Sequence, residues 1–248
     1  MFKFDKRILY IVVGIYVLIN VINRLNNTDS MIALIMSLPA ILVAITFHEY
    51  AHAFAADKLG DDTPRLQGRL TLNPLKHIDI VGFAFLIVAG FGWGKPVEVQ
   101  PRNFKRSISM TKAQAIVSFA GPLMNFFIAI IATVIFALLA KFNVFAQISN
   151  ITTITIISTF LTSLISINIG LGVFNLIPLP PLDGSKILKH FLPYNAKVWY
   201  ERNEYILYIV LLILWITNLV DLVIGPCIYG VEVGIIKLVG LIFGMDLL

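Results

Sequence analysis

Residues 46–61 read TFHEYAHAFAADKLGD. His48 and His52 are four positions apart, so on a helix their imidazoles share one face, one turn apart. Two ring nitrogens so placed can reach a single zinc ion at Zn–N distances of about 2.0–2.1 Å. Glu49 adjoins His48, and in the H-E-x-x-H pattern this glutamate sits beside the metal as a general base and is not a ligand. The plainer reading is a pair of packing histidines hydrogen-bonded to their neighbours. The surroundings argue against it, because the stretch ends a long apolar run in which every ionisable group is expensive and needs a partner. A metal centre supplies one reason for all three.

Such a centre needs a third protein ligand and an open position for water. Residues 174–188, FNLIPLPPLDGSKIL, hold the best candidate. Pro178, Pro180 and Pro181 forbid a regular helix there, and Asp183 follows the break, ahead of Gly184. An ordinary Asp-Gly turn is the alternative. Rival ligands are Glu201 and Glu204, in a charged segment that looks solvent-facing, and His77 and His190, which each adjoin a lysine and read as surface residues. Two amides also sit in apolar surroundings: Asn125 in AGPLMNFF, and Asn175 at the start of the proline-rich break. Either could hold a substrate backbone or an oxyanion, or could satisfy kinked helices; the residues leave both readings open.

The chain that must position these groups has 248 residues, of which 58% are hydrophobic and 13% charged. An ordinary soluble domain is roughly half apolar and about a quarter charged, so the expectation is an all-α polytopic membrane protein. The lone Cys227 excludes an intramolecular disulfide framework. The net charge of +5 reads as basic loops on a cytoplasmic face, with lipid and not nucleic acid as the partner. Apolar runs at 8–22, 31–57, 113–140, 151–178, 205–224 and 227–244 predict about six transmembrane helices. The last of these is rich in glycine and could lie flat or re-enter. The first follows MFKFDKR without a small-x-small cleavage pattern and reads as a retained anchor. Lys3, Lys6 and Arg7 then place the N-terminus in the cytoplasm of a multi-pass cell-membrane protein. The following loops put His48, His52 and Asp183 at a common depth toward that side. Residues 78–93 are too short and glycine-rich for a crossing, and predict a re-entrant or hairpin segment that lines something. GKPVEVQPRNF after it suits an extended edge strand. The expected organisation is an anchor and external loop at 1–30, a core at 31–202 that contains the re-entrant/β segment 78–104, and C-terminal transmembrane helices at 203–248.

HEYAH, GPLMN and NLIPLPPLDG, in that order in successive hydrophobic segments, resemble the site-2 protease family of intramembrane zinc metalloproteases. RLTLNPLKHIDIVGFAFLIVAGFGWGKPVEVQPRNF resembles the membrane-associated β-hairpin of its short members. The resemblance covers residues 31–202. It implies a three-helix core, one zinc ion on His48, His52 and Asp183, Glu49 as catalytic base, and supporting polar roles for Asn125 and Asn175. No polar stretch is long enough for a PDZ or CBS domain, so the short form is expected, with Ser185 where many relatives carry a second glycine. The implied activity is that of a zinc metalloendopeptidase that hydrolyses peptide bonds in or near transmembrane segments, in regulated intramembrane proteolysis. Its family-level substrate is a single-span protein such as an anti-sigma factor. The strand Val97, Glu98 and Val99 would present an unwound substrate by strand addition and do no chemistry. The alternatives are a membrane-embedded zinc protease of cytoplasmic polypeptides with a glutamate as third ligand, and a non-catalytic zinc-binding transporter or scaffold, which would need no base at Glu49.

Overall fold

Lipid offers no partner to a free peptide group, so long apolar runs satisfy their own backbones as helices. The computed structural model describes residues 28–89, 94–217 and 219–247, together with Ile19 and Ile22. Its main helices are α1 (Thr28–Lys58), α2 (Ile80–Ala89), α3 (Met110–Lys141), α4 (Ile151–Asn175), α5 (Asp183–Phe191), α6 (Tyr194–Arg202), α7 (Glu204–Ile216) and α8 (Leu219–Phe243). Side chains that compete for backbone hydrogen bonds mark the starts. Ser109 caps α3 by accepting from the Lys112 amide, and Asn150 caps α4 by accepting from Thr152 and Thr153. Helix α4 ends at Asn175, just ahead of the prolines.

Helix α3 packs on both α1 and α4, which also touch each other. Helix α5 lies against α3, and α8 against α3 and α4. The facing surfaces are built from small residues: Ala40, Ala44, Ala53 and Ala56 of α1 and Ala113, Ala129 and Ala132 of α3 are fully buried. Small side chains let backbones approach closely, so dispersion replaces a hydrophobic drive that lipid cannot supply. Leu164, Ile165 and Ile169 of α4 close this core.

Among the described residues four stretches are long and apolar enough to cross a membrane: Ile35–Lys58, Met110–Lys141, Ile151–Asn175 and Leu222–Phe243. The protein is therefore an all-helical, multi-pass membrane protein. The expected span at 8–22 lies outside the described residues, Ile19 and Ile22 excepted. The expected span at 205–224 is instead α7, 13 residues long, which at 1.5 Å per residue falls well short of a hydrocarbon core of about 30 Å. Its end is marked by Thr217, whose hydroxyl donates back to Ile213 O at 2.7 Å. The glycine-rich run at 227–244 neither lies apart nor breaks. It belongs to α8, 25 residues long, with Pro226 inside, since glycine and proline are common in membrane helices.

Residues 78–94 also depart from expectation. Instead of a β-hairpin, the described part is helix α2, joined at its base by one antiparallel bridge, Ile78 to Gly94. Ten apolar residues without proline satisfy their own amides most simply as a helix, and Gly82 alone does not break it. The base is clamped. The Lys95 amide donates to His77 O at 2.8 Å, and the buried guanidinium of Arg69 donates to the carbonyls of Lys76 and Lys95. The stretch after Gly94 has no regular secondary structure and pairs with no strand among the described residues. Its amides go to carboxylates instead: Val97 N to Glu49 at 2.9 Å, and Gln100 N to Asp61 at 2.6 Å. Asp61 is fully buried and also accepts from Thr63 N and Asn103 Nδ2, so it ties this loop to the end of α1.

Because both ends of 78–94 lie side by side, single cysteines at Arg65, Lys105 and Lys189, introduced with Cys227 changed to serine, should react with an impermeant maleimide from one face of the membrane. A cysteine at Asn143 should react from the other. Opposite labelling of positions 65 and 105 would show that 78–94 crosses.

Candidate metal centre

His48 and His52 stand one turn apart on α1, both buried, with ring centroids 4.6 Å apart and planes at 87°. Their remote nitrogens converge: His48 Nε2 and His52 Nε2 are 3.0 Å apart, and Asp183 Oδ2 lies 3.3 Å from the first and 3.0 Å from the second. The near nitrogens are taken. His52 Nδ1 is 2.7 Å from Val117 O, a carbonyl that can only accept, so the proton sits on Nδ1. His48 Nδ1 donates in the same way to Asn125 Oδ1 at 2.6 Å. Each ring thus turns a lone pair toward the other and toward a carboxylate. Three acceptors facing one another in a buried site repel unless a cation lies among them. Ligands about 2.0–2.1 Å from a tetrahedral zinc are about 3.3 Å apart, so the donor set and its spacing both fit zinc.

Each element contributes by a local necessity. Helix α3 brings Gly121 against both imidazoles. A Cβ there would overlap His52 Nε2 and stand 2.7 Å from His48 Cε1, so a side chain would occupy the space of the rings. Asp183 opens α5, where the helix dipole favours a carboxylate. Gly184 lets the Leu176 and Ile177 carbonyls fold over that start, in space a side chain would fill.

Glu49 lines a cavity of about 160 Å³ together with His48, His52, Asp183, Val97, Val99 and Asn175. Its Oε2 accepts the Val97 N–H, so the segment expected only to present substrate directly touches the glutamate. Val97 and Val99 face this cavity, whereas Glu98 points away and accepts from Gln67 Nε2 at 2.7 Å. The two asparagines part company. Asn125 is fully buried behind His48, while Asn175 is on the cavity wall with its Nδ2 given to Leu171 O of its own helix. The rival ligands lie elsewhere. Glu204 faces Lys189 Nζ at 3.9 Å, and neither it nor Glu201 joins the cluster. His77 is not a surface residue: it is fully buried at the base of α2, with Nε2 on Thr71 O at 2.7 Å, and burial pushes its pKa down. His190 is half-buried, edge-on to Phe191.

Three contributors escaped the sequence reading. The Val117 carbonyl carries no side-chain signature. Lys186, at the cavity wall 3.9 Å from Asp183 Oδ1, belongs to none of HEYAH, GPLMN and NLIPLPPLDG, the motifs singled out in the sequence. Asn168, fully buried in mid-α4 and bonded to Asn125, is a polar group within an apolar span, so the test applied to His48 would have found it.

A family model described as Peptidase family M50 matches residues 36–217, which take in all of these groups. The protein YwhC of Bacillus subtilis (strain 168) is 39% identical over 203 residues, 82% of this chain and 90% of its own length. Rip2 of Mycolicibacterium smegmatis is 30% identical over 178 residues, 70% of this chain and 64% of its own length. The names of both include the words zinc metalloprotease. No solved structure matches the chain.

Gly121→Val should cut zinc retention roughly 10–100-fold, the usual scale for disturbing groups that orient metal ligands. Gly170→Ala, where an added Cβ meets nothing within 4 Å, should retain it. Elemental analysis of the two purified proteins checks this, and equal zinc in both would mean that the rings do not depend on the close approach.

Proposed function

The chain belongs to peptidase family M50, the site-2 protease family, and is a membrane zinc metalloprotease; on that premise we propose that it hydrolyses peptide bonds in or near the transmembrane segments of other membrane proteins. The observation that carries the reading is the buried convergence of His48 Nε2, His52 Nε2 and Asp183 Oδ2 beside a cavity that also holds Glu49. These three residues hold one zinc ion per chain. Zinc there supplies Lewis acidity toward water and toward the scissile carbonyl.

The chain's own residues do the rest. Glu49 takes a proton from the attacking water and returns it to the leaving amine. The Val97 N–H holds one oxygen of that carboxylate, which leaves the other for the proton. Asn125 and the Val117 carbonyl hold the two imidazoles with their lone pairs inward. Asn175, with its Nδ2 engaged, offers its oxygen to a substrate amide. Substrate must enter unwound, because helical carbonyls are already bonded. Residues 96–99 run beside the zinc site, with Val97 and Val99 inward and Glu98 outward, which is the alternation a strand-adding edge requires. The bridge between Ile78 and Gly94 brings the two ends of residues 78–94 together, which suits a segment that re-enters without crossing. The N-terminus is cytoplasmic and the site lies toward that side, since Lys58, Lys105, Lys186 and Lys189 gather at that end of α1 and α5. A single-span membrane protein, such as an anti-sigma factor, is the proposed substrate.

Glu49→Gln should keep zinc at wild-type content and lower the cleavage rate of a single-span test substrate by roughly 10²–10⁴. Full activity in that variant would remove Glu49 from the chemistry. The His48→Ala/His52→Ala double variant and Asp183→Ala should lose zinc by elemental analysis, while Glu201→Ala and Glu204→Ala keep it; zinc retained without both histidines would refute the ligand set. The strand role is separable at one position only. Val99→Pro should slow cleavage with zinc unchanged, whereas Val97→Pro also removes the amide that holds Glu49.

A further inference from the structure

Behind His48 runs a chain of amides. Asn168 Nδ2 donates to Leu164 O at 2.8 Å, and Asn168 Oδ1 accepts from Asn125 Nδ2 at 2.9 Å. The other Asn125 N–H goes to Ala44 O at 3.2 Å, and Asn125 Oδ1 accepts from His48 Nδ1 at 2.6 Å. Both asparagines are fully buried, so water offers no substitute partner. Every link has one direction, because the chain is anchored on main-chain carbonyls that can only accept. Leu164 O requires the NH₂ of Asn168, which turns its oxygen toward Asn125. That oxygen, with Ala44 O, requires the NH₂ of Asn125, which turns its own oxygen toward His48. The ring proton must then sit on Nδ1, and the Nε2 lone pair faces His52 and Asp183. Were the Asn125 amide reversed, the proton would move to Nε2 and point into the cluster.

We propose that Asn168 is a positioning residue that sets the tautomer of His48 by fixing the orientation of the Asn125 amide. The inference rests on the reading of His48 as a zinc ligand. Asn168 touches neither substrate nor metal. Without it, the Asn125 amide keeps only the longer bond to Ala44 O and loses much of the preference that holds its oxygen toward the ring. Because the tautomer is chosen before metal arrives, the effect belongs to zinc affinity and to the metal-free ring, and not to turnover alone.

The test uses the full chain purified in detergent, with zinc affinity read by chelator competition. Asn168→Leu, similar in volume and unable to bond, should weaken zinc binding roughly 10–100-fold. Asn168→Asp, whose neutral carboxyl can donate to Leu164 O and still accept from Asn125, should stay near wild type. In an Asn125→Ala background Asn168→Leu should add nothing further, since a residue that acts only through another has no effect once that other is gone. Side-chain ¹⁵N spectra of the metal-free protein, assigned with His48→Ala, should show the Nδ1–H tautomer of His48 in the wild type and a raised share of Nε2–H in Asn168→Leu. Unchanged affinity in Asn168→Leu, or the same loss with and without Asn125, would overturn the proposal and leave Asn168 as helix packing. Equal zinc affinity in the wild type and His48→Ala would overturn the ligand reading itself.

Discussion

Three electron-rich atoms held about 3 Å apart in a buried site form the constraint on which the rest of the molecule depends. Left alone they push one another away, and in a low-dielectric interior that repulsion is strong. The surrounding structure orients them, with a directional hydrogen bond on the far side of each ring and a helix start beneath the carboxylate. These partners fix the direction of each donor, as preorganisation requires.

Close helix packing makes this possible. Alanines on α1 and α3 let the two backbones approach until Gly121 lies against both imidazoles and the Val117 carbonyl reaches His52. Bulkier residues at that seam would move α3 outward and withdraw two partners at once. The same economy appears at the base of α2, where the buried Arg69 satisfies two carbonyls and so holds the residues that meet Glu49. Among the buried polar residues described, Asn125 and Asn168 stand behind the cluster, and Asp61, Arg69 and His77 hold the loop beside it.

What could be read in advance follows from how the signal is carried. The long helices were legible because twenty or so apolar residues have few other options in lipid. His48, Glu49 and His52 were legible because their spacing matches a helical turn, and Asp183 because it follows a proline break at a matching depth. The β-hairpin expected around α2 was suggested by the glycines of residues 78–94, although the apolar, proline-free stretch from Ile80 to Ala89 favours helix. His77 was misread because a neighbouring lysine implied a wet surface; only the folded base of α2 shows that it is covered. The end of α7 at Ile216 was hidden by the apolar residues that continue beyond it. A main-chain acceptor such as Val117 O depends on which backbone lies opposite the ring, and no residue type announces that.

The donor set is also split in time. His48, Glu49 and His52 leave the ribosome early, but Asp183 comes only after α3 and α4 and the proline turn. At about 5–20 residues per second the interval is on the order of ten seconds. Throughout it the nascent chain carries two histidines and a base without the carboxylate that completes their site. A site assembled in this order has no full donor set while α3 and α4 are still threading into the bilayer. The set is complete only after α1, α3 and α4 have been made, and before α7 and α8.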